Sequence, residues 1–233
     1  MRFTILSLFP EYFDSPFNAS ILKKARGSGL LNIEMVDIRD FAEGKHKKVD
    51  DRPYGGGPGM VLMPKPLCQA IRSVKCGDTR VIYLSPQGKP LTAEVCMRLS
   101  KEKHLVLICG HYEGIDERVI ESEVDEEISI GDYVLTNGCI AAIVLVDAVS
   151  RFIPGVLGHD EAAYQDSFQD NKLDAPHYTR PPEFEGAVVP PVLISGDHEK
   201  IAKWRHDKGI EKTKRVRPDL HLGREKMSGK EQK

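Results

Sequence analysis

Short apolar runs alternate with longer amphipathic stretches along the first two thirds of the chain. Apolar runs that are rich in β-branched side chains predict buried strands, and apolar residues at helical spacing predict helices. The predicted strands cover residues 3–9, 31–36, 80–84, 105–109 and 140–146, and the predicted helices cover 64–74 and 92–101. Alternation of this kind predicts an α/β fold, with a mainly parallel sheet covered by helices on both faces.

The chain changes character after Arg151. Residues 159–174 are polar and predict a linker or lid, and the stretch from Ser195 to Glu199 is typical of a helix N-terminus. We expect a helix of about a dozen residues there, which carries Lys200, Lys203, Trp204, Arg205 and Lys208. The predicted domains are therefore a catalytic domain at 1–158, a linker at 159–174 and a small basic helical domain at 175–233.

Charge is distributed unevenly. Residues 196–233 carry a net charge of +5, and the rest of the chain carries −7. A basic segment on an acidic body is typical of a contact with nucleic acid, although a solvated helix face would have the same composition.

The apolar runs are too short to cross a membrane. The run at 3–9 ends at Pro10-Glu11 without a small-residue cleavage site, and Asp147 interrupts the run at 140–149. We therefore expect a cytoplasmic protein with no membrane contact. The five cysteines form no C-x-x-C pair, which argues against a zinc site or a disulfide scaffold. Cys109 is interpreted as a buried thiol.

Three glycine-containing loops each follow a predicted strand, at 84–88, 109–114 and 130–138. The carboxyl ends of parallel strands form the usual ligand site of such sheets. None of the loops has the glycine pattern of a dinucleotide or P-loop phosphate site, so they suit an adenine and a ribose. Tight turns that need a positive φ would account for any single loop as well. A further cluster at 55–59 is either a flexible loop or a substrate loop.

Six motifs stand in order along the chain. They are PYGGGPGM at 53–60, YLSPQG at 83–88, CGHYEGID at 109–116, SIGDYVL at 129–135, DAVSR at 147–151 and DSF at 166–168. Together they resemble the bacterial tRNA (guanine-N1)-methyltransferases, a family of the trefoil-knotted SPOUT superfamily that acts on guanosine 37, beside the anticodon. The resemblance runs from the first strand to the DAPHYTRP stretch at 174–181.

The resemblance implies a homodimer of deeply knotted α/β domains, each followed by a small helical domain, with active sites at the subunit interface. It implies that S-adenosylmethionine binds in the knot, with Glu113 near its methionine end. The implied cofactor-binding residues are Tyr83, Leu84, Ser85, Pro86, Gly110, Tyr112, Glu113, Ile130, Gly131, Asp132, Tyr133, Val134, Leu135 and Gly138.

The resemblance also implies the catalytic groups. Asp166 would remove the N1 proton of guanine, and Arg151 would stabilise the charge that spreads onto O6. Mg²⁺ would serve the same end. His46, Asp50, Arg52 and Gly59 match positions that handle tRNA, and the basic residues at 200–217 would contact phosphates.

The two catalytic candidates also fit purely structural roles. Arg151 could pair with a carboxylate at a helix end, and Asp166 could be a solvated loop residue or an N-cap. The chain could be a tRNA-binding protein without catalysis, or a ribose 2′-O methyltransferase of the same superfamily. It also departs from the family at Asn137-Gly138-Cys139, where relatives usually have two glycines and then Glu. We expect Asn137 to occupy a left-handed turn.

Overall fold

The computed structural model describes residues 1–159 and 161–220. The chain divides into two compact units at residues 160–161. The predicted linker at 159–174 begins at that division, and its residues from Glu161 onward group with the second unit. Residues 221–233 of the predicted basic domain lie outside the described residues.

The strands of the described chain are β1 (Arg2–Ser7), β2 (Asn32–Asp37), β3 (Asp50–Asp51), β4 (Val61–Leu62), β5 (Thr79–Pro90), β6 (His104–Cys109), β7 (Glu126–Ser129), β8 (Glu183–Phe184) and β9 (Ala187–Val188). The α-helices are α1 (Ser20–Gly27), α2 (Pro64–Val74), α3 (Ala93–Leu99), α4 (Glu117–Glu123), α5 (Cys139–Ser150), α6 (Ala162–Gln165) and α7 (His198–Val216). Short 3₁₀ helices cover Pro10–Phe13, Pro16–Asn18, Ile38–Phe41, Gln169–Asn171 and Pro191–Ile194.

A parallel sheet forms the centre of the first unit, with strand order β2-β1-β6-β5-β7. Each neighbouring pair in it is parallel. The carboxyl ends of β5, β6 and β7 therefore open at one edge of the sheet. The predicted α/β fold with a mainly parallel sheet is confirmed.

Alternate side chains of the strands enter two hydrophobic cores. Ile5, Ile82 and Leu107 pack with α1, α3 and α5 on one face. Leu6 and Val106 pack with α2 and α4 on the other face. A strand that is buried on both faces needs apolar residues at successive positions. This explains the continuous apolar runs that predicted these strands.

Helix α5 corrects one prediction. The sequence predicts a strand at 140–146, and these residues lie inside a helix of 12 residues. The buried positions Ala142, Leu145, Val146 and Val149 follow helical spacing. The opposite face is apolar as well, since Ile140 and Val144 are 44% and 40% exposed. A helix that is apolar on both faces has no periodic signature.

The N-terminal ends of two predicted helices are capped by side chains. Thr92 Oγ1 accepts from Val95 N–H at 3.3 Å at the start of α3, and Asp197 Oδ1 accepts from Lys200 N–H at 3.1 Å at the start of α7. Such caps satisfy amide groups that the helix leaves unpaired. Helix α7 spans 19 residues, so the predicted length of about a dozen was too short.

The second unit is built around α7. Gly209 of α7 lies against the carbonyl of Leu173, where a Cβ would come within 2.8 Å. The buried hydroxyl of Thr213 accepts from Leu173 N–H at 2.8 Å and donates to the Gly209 carbonyl at 2.7 Å. A two-stranded antiparallel sheet, β8 with β9, completes this unit and was not predicted.

Among the helices of the described residues, none is both long and apolar enough to span a membrane.

Candidate functional site

A pocket opens at the carboxyl ends of β5, β6 and β7, beside the start of α5. The predicted cofactor residues that line it are Tyr83, Leu84, Ser85, Pro86, Gly110, Tyr112, Glu113, Ile130, Gly131, Tyr133, Val134, Leu135 and Gly138. Asp132 is exposed and does not belong to this lining. The lining also includes residues that were not predicted: His111, Gly114, Ile128, Ser129, Thr136, Asn137 and Ala141.

The first wall of the pocket is an excursion of β5 out of the sheet. Leu84 and Lys89 both pair with Ile128 of β7, so residues 85–88 protrude between them. The Ser85 hydroxyl accepts from Gln87 N–H at 3.1 Å and closes this turn. A Cβ on Gly88 would overlap the backbone of Ile128, so only glycine lets the chain rejoin the sheet here.

The second wall is the loop after β6. A Cβ on Gly110 would lie 2.9 Å from the Tyr83 hydroxyl, so glycine at this position lets the Tyr83 side chain pack directly against the loop backbone. Tyr112 has a left-handed backbone with φ of 59°, which is uncommon for an aromatic residue. Its ring is 51% exposed at the pocket. Such strain is often found where a binding site holds the chain in a special conformation.

The third wall follows β7. The Ser129 hydroxyl accepts from Gly131 N–H at 3.2 Å and donates to the Gly131 carbonyl at 3.0 Å. The Tyr133 ring folds over Gly131, where a Cβ would come within 2.5 Å of Cε1. Val134 is 82% exposed, which is unusual for an apolar side chain.

The start of α5 closes the pocket. Gly138 N–H donates to the Gly110 carbonyl at 2.8 Å. Asn137 Oδ1, one residue before the N-cap Gly138, accepts from Cys139 N–H at 2.9 Å and so satisfies the first amide of the helix. Asn137 is absent from the described residues with positive φ, so the expected left-handed turn was wrong. A capping side chain, and not a special backbone, allows Asn to stand where relatives usually have glycine.

Burial raises the pKa of two ionisable groups, Tyr83 of β5 and Glu127 of β7. Burial, with the Glu127 carboxylate opposite in the sheet, raises the pKa of Tyr83 to about 12. Burial and the neighbouring Glu117 raise the pKa of the Glu127 carboxyl. Tyr83 therefore remains a neutral hydroxyl at physiological pH.

The predicted tRNA-handling residues lie on the segment that contains β3 and β4. Asp50 pairs with Leu62 in this small sheet, while His46 and Arg52 are exposed or half-buried in the flanking turns. Gly59 contacts Glu113, and Glu113 N–H donates to the Met60 carbonyl at 3.0 Å. The glycine cluster at 55–59 therefore meets the pocket through the loop after β6.

The predicted catalytic residues lie in different units. Arg151 is half-buried directly after α5 in the first unit, and Asp166 is exposed directly after α6 in the second. Within residues 1–159 and 161–220, no three His, Cys, Asp or Glu side chains are placed to hold a metal ion together.

The comparisons with known proteins agree with this architecture. The family model described as "tRNA (Guanine-1)-methyltransferase TrmD" matches residues 1–223. A tRNA (guanine-N(1)-)-methyltransferase of Protochlamydia amoebophila is 65% identical over 216 residues, which cover 93% of this chain and 97% of the relative.

Relatives with the same name occur in Chlamydia caviae and Chlamydia pneumoniae. They are 60% and 59% identical over 222 residues, which cover 95% of this chain. The chain spans 62% and 61% of the length of these two relatives. A family match across nearly the whole chain, with identities of this size, shows the family: the chain belongs to the tRNA (guanine-1)-methyltransferases and is a methyltransferase.

Proposed function

We propose that this protein transfers the methyl group of S-adenosylmethionine to N1 of guanosine 37 in tRNA. The single observation that supports this most is the convergence of the family's glycine-containing loops on one pocket at the carboxyl ends of β5, β6 and β7. The relatives are named for methylation of guanine N1 in tRNA, and we extend that activity to this chain.

The pocket has the chemistry that an adenosine requires. Apolar side chains such as Leu84, Ile130 and Leu135 stand beside loop backbone groups at Gly110 and Gly138. Both glycines bring the pocket walls close together, because protein atoms fill the space that a Cβ would take. When bound, S-adenosylmethionine supplies a methyl group on a positively charged sulfur. We assign Asp132 a place near this site only from the family resemblance.

The N1 proton of guanine must leave before N1 can accept a methyl group. We assign this step to the Asp166 carboxylate, which would accept the proton as a general base. An aspartate with an ordinary pKa of about 3.9 is a weak base for an imino proton, so the anion of guanine needs stabilisation. The Arg151 guanidinium would supply it by donating hydrogen bonds to O6.

Asp166 is exposed, in a segment that follows a helix of only four residues. We infer that binding of the cofactor and of tRNA together brings it to the guanine, which would limit idle turnover. His46, Asp50, Arg52 and Gly59 would help to position the tRNA. The basic residues at 200–217, among them Lys200, Lys203, Arg205 and Lys208, would contact phosphates.

The family resemblance also predicts a role for Mg²⁺. The described residues contain no cluster of three side chains that could hold a metal ion. They do not fit a site made by protein groups alone, and we assign no step to the ion.

A homodimer is supported by exposed apolar side chains in the first unit. Ile140 and Val144 are exposed on one face of α5, and Val134 protrudes from the loop before it. Apolar surface of this kind often marks an interface between proteins. We propose that two copies associate through this face in the cytoplasm, where tRNA is modified.

The proposed function is tested by methyl transfer from labelled S-adenosylmethionine to tRNA. We expect transfer to a tRNA with guanosine 37 and none to the same tRNA with adenosine 37. Nuclease digestion and mass spectrometry should locate the label on N1. A label on a ribose hydroxyl would identify a 2′-O methyltransferase, and binding of tRNA without transfer would identify a non-catalytic protein.

A further inference from the structure

Four polar side chains meet behind the pocket wall, where β1, β6 and α5 converge. Cys139 Sγ lies 3.2 Å from Ser7 Oγ and 3.9 Å from His111 Nε2. The fourth member is Cys109, whose Cα lies 2.9 Å from the position of a Cβ on Gly138, the residue before Cys139. Ser7, Cys109 and Cys139 are fully buried, and His111 is 5% exposed. The cluster is therefore shielded from water.

The hydrogen bonds make the Cys139 sulfur an acceptor. The Ser7 hydroxyl accepts from Phe9 N–H at 3.0 Å, and its own proton is available to donate to Cys139. His111 donates to the sulfur when its proton is on Nε2, and the Cys109 thiol can donate as well. A hydroxyl and an imidazole beside one buried sulfur, at the first residue of a helix, are surroundings that favour a thiolate.

The surroundings shift the pKa values of the Cys139 and Cys109 thiols in opposite directions. The hydrogen bond from Cys109, with those from His111 and Ser7, lowers the pKa of Cys139 to about 5 although burial opposes the shift. Burial and the adjacent Cys139 sulfur raise the pKa of Cys109 well above its usual range.

This sulfur is directly linked to two walls of the pocket. Cys109 and Cys139 each adjoin a glycine of the lining, Gly110 and Gly138. Gly138 N–H donates to the Gly110 carbonyl, and a Cβ on Gly138 would lie 2.9 Å from the Cys109 Cα. A small movement of Cys139 relative to β6 therefore changes the distance between the two walls.

We propose that Cys139 is a positioning residue of the cofactor site, whose sulfur contacts Ser7 and His111 and so fixes the start of α5 against the end of β6. This proposal rests on the proposed function, because it takes the pocket to be the site of S-adenosylmethionine.

The charge on Cys139 should make cofactor affinity depend on pH. The titratable groups that face it are Cys109 of β6 and His111 of the following loop. The other neighbours are neutral: the Ser7 hydroxyl from β1 and the capping amide of Asn137, which the Tyr12 hydroxyl contacts at 3.4 Å. Protonation of Cys139 at low pH would remove a negative charge that Ser7 and His111 stabilise, so the affinity should fall there.

The test compares Cys139→Ala and Cys139→Ser with a matched control, Cys96→Ala. Cys96 is a buried cysteine of α3 that does not line the pocket. Titration calorimetry with S-adenosylmethionine should be run from pH 5 to pH 8, and the ultraviolet absorbance of thiolate should be followed over the same range. Thermal unfolding of each variant checks that it is folded. If Cys139→Ala does not fold, the comparison is made with Cys139→Ser alone.

We expect Cys139→Ala to raise the Kd for S-adenosylmethionine about tenfold at pH 8, since hydrogen bonds to a charged group are lost. Cys139→Ser should recover part of the affinity without the wild-type pH dependence, because a hydroxyl does not ionise in this range. The thiolate absorbance of the wild type at pH 7 should be missing from both variants and present in Cys96→Ala.

Equal Kd values for the wild type and Cys139→Ala would overturn the positioning role and leave the proposed function intact. An unchanged thiolate absorbance in Cys139→Ser would also overturn it. If the wild type bound no S-adenosylmethionine, the proposed function would fail, and the positioning role would fail with it.

Discussion

Gly59 lies against the side chain of Glu113, so closely that a Cβ at Gly59 would overlap the Glu113 carboxylate. Glu113 N–H also donates to the carbonyl of Met60 at 3.0 Å. The segment that resembles a tRNA-handling loop is therefore in contact with the loop that lines the pocket. A substitution at Gly59 should therefore reduce the rate of methyl transfer, even though Gly59 does not line the pocket.

Gly59→Ala should reduce kcat/KM for methyl transfer more than ten-fold, on the order of the loss expected from a misplaced substrate contact. The added methyl group displaces Glu113, and the positive φ of 82° adds strain of about 1 kcal/mol. Gly55→Ala is the matched control, because its φ is 85° and nothing lies within 4 Å of its Cβ. Equal kinetic losses in the two variants would show that strain alone is responsible and that the Glu113 contact has no role.

Asp166→Asn should lower kcat by about 10²- to 10⁴-fold, which is the range for loss of a general base. The Kd for S-adenosylmethionine should not change, because the pocket is built from the first unit. Asp170→Asn removes an exposed carboxylate from the same segment and should retain activity. Single-turnover kinetics and calorimetry separate the two effects. An Asp166→Asn variant with wild-type kcat would refute the assignment of the base.

Asn137→Ala should destabilise the protein by about 1 kcal/mol, since it removes the cap that accepts from Cys139 N–H. Asn137→Gly should cost only a few tenths of a kcal/mol. Urea unfolding measures both differences. A glycine variant more stable than the wild type would contradict the capping role, because that result is expected from relief of a left-handed backbone.

His104 should make stability depend on pH. Its ring is buried between the hydroxyls of Thr4, 2.9 Å from Nε2, and Thr79, 2.8 Å from Nδ1. Burial lowers the pKa of His104 in the folded protein. The unfolded chain therefore binds a proton first, and stability falls as the pH drops below the unfolded value of about 6.5.

Urea unfolding at pH 8 and pH 5.5 tests this, with His104→Gln compared with the wild type at each pH. The stability advantage of the wild type over the variant should shrink at the lower pH. His198→Gln, which changes an exposed histidine, is the control. An advantage that stays constant between the two pH values would contradict the role of His104.

Val144→Glu should convert the protein from a dimer to a monomer, because it places a charge on the exposed apolar face of α5. Methyl transfer should be lost as well if the active site needs both subunits. Val188→Glu changes a valine that is 63% exposed in the second unit and should leave the assembly intact. Light scattering after size exclusion measures the mass. A monomeric wild type, or a dimeric Val144→Glu variant, would contradict the proposed interface.

The central sheet was predictable because buried parallel strands require continuous apolar runs, and β1, β2, β5 and β6 contain them. Helix α5 was not predictable in this way. Its two apolar faces remove the 3.6-residue period, and its β-branched residues favoured a strand. Ala141 and Ala142 were the available helical signal. The two-residue strands β3 and β4 are too short for a sequence pattern. Strands β8 and β9 form a local hairpin, in which Gly186 was the available turn signal.

The residues that line the pocket were predictable from the family's motifs. The reason why glycine is needed at some of these positions is visible only in the close contacts of the structure. Gly88, Gly110 and Gly138 are required because backbone or tyrosine atoms occupy the space of a Cβ. His111 was missed as a lining residue, although its place in the motif at 109–116 was a signal. The role of Cys139 depends on Ser7, which lies 132 positions away in the sequence. Contacts of that range are set by the fold alone.

The site of methylation in a matched pair of tRNAs is the decisive measurement for the proposed function. Purified protein, labelled S-adenosylmethionine and tRNA with guanosine or adenosine at position 37 should be incubated, digested and analysed by mass spectrometry. We expect N1-methylguanosine at position 37 of the first tRNA and no label in the second. Equal labelling of both tRNAs, or label on a ribose, would contradict the proposed function.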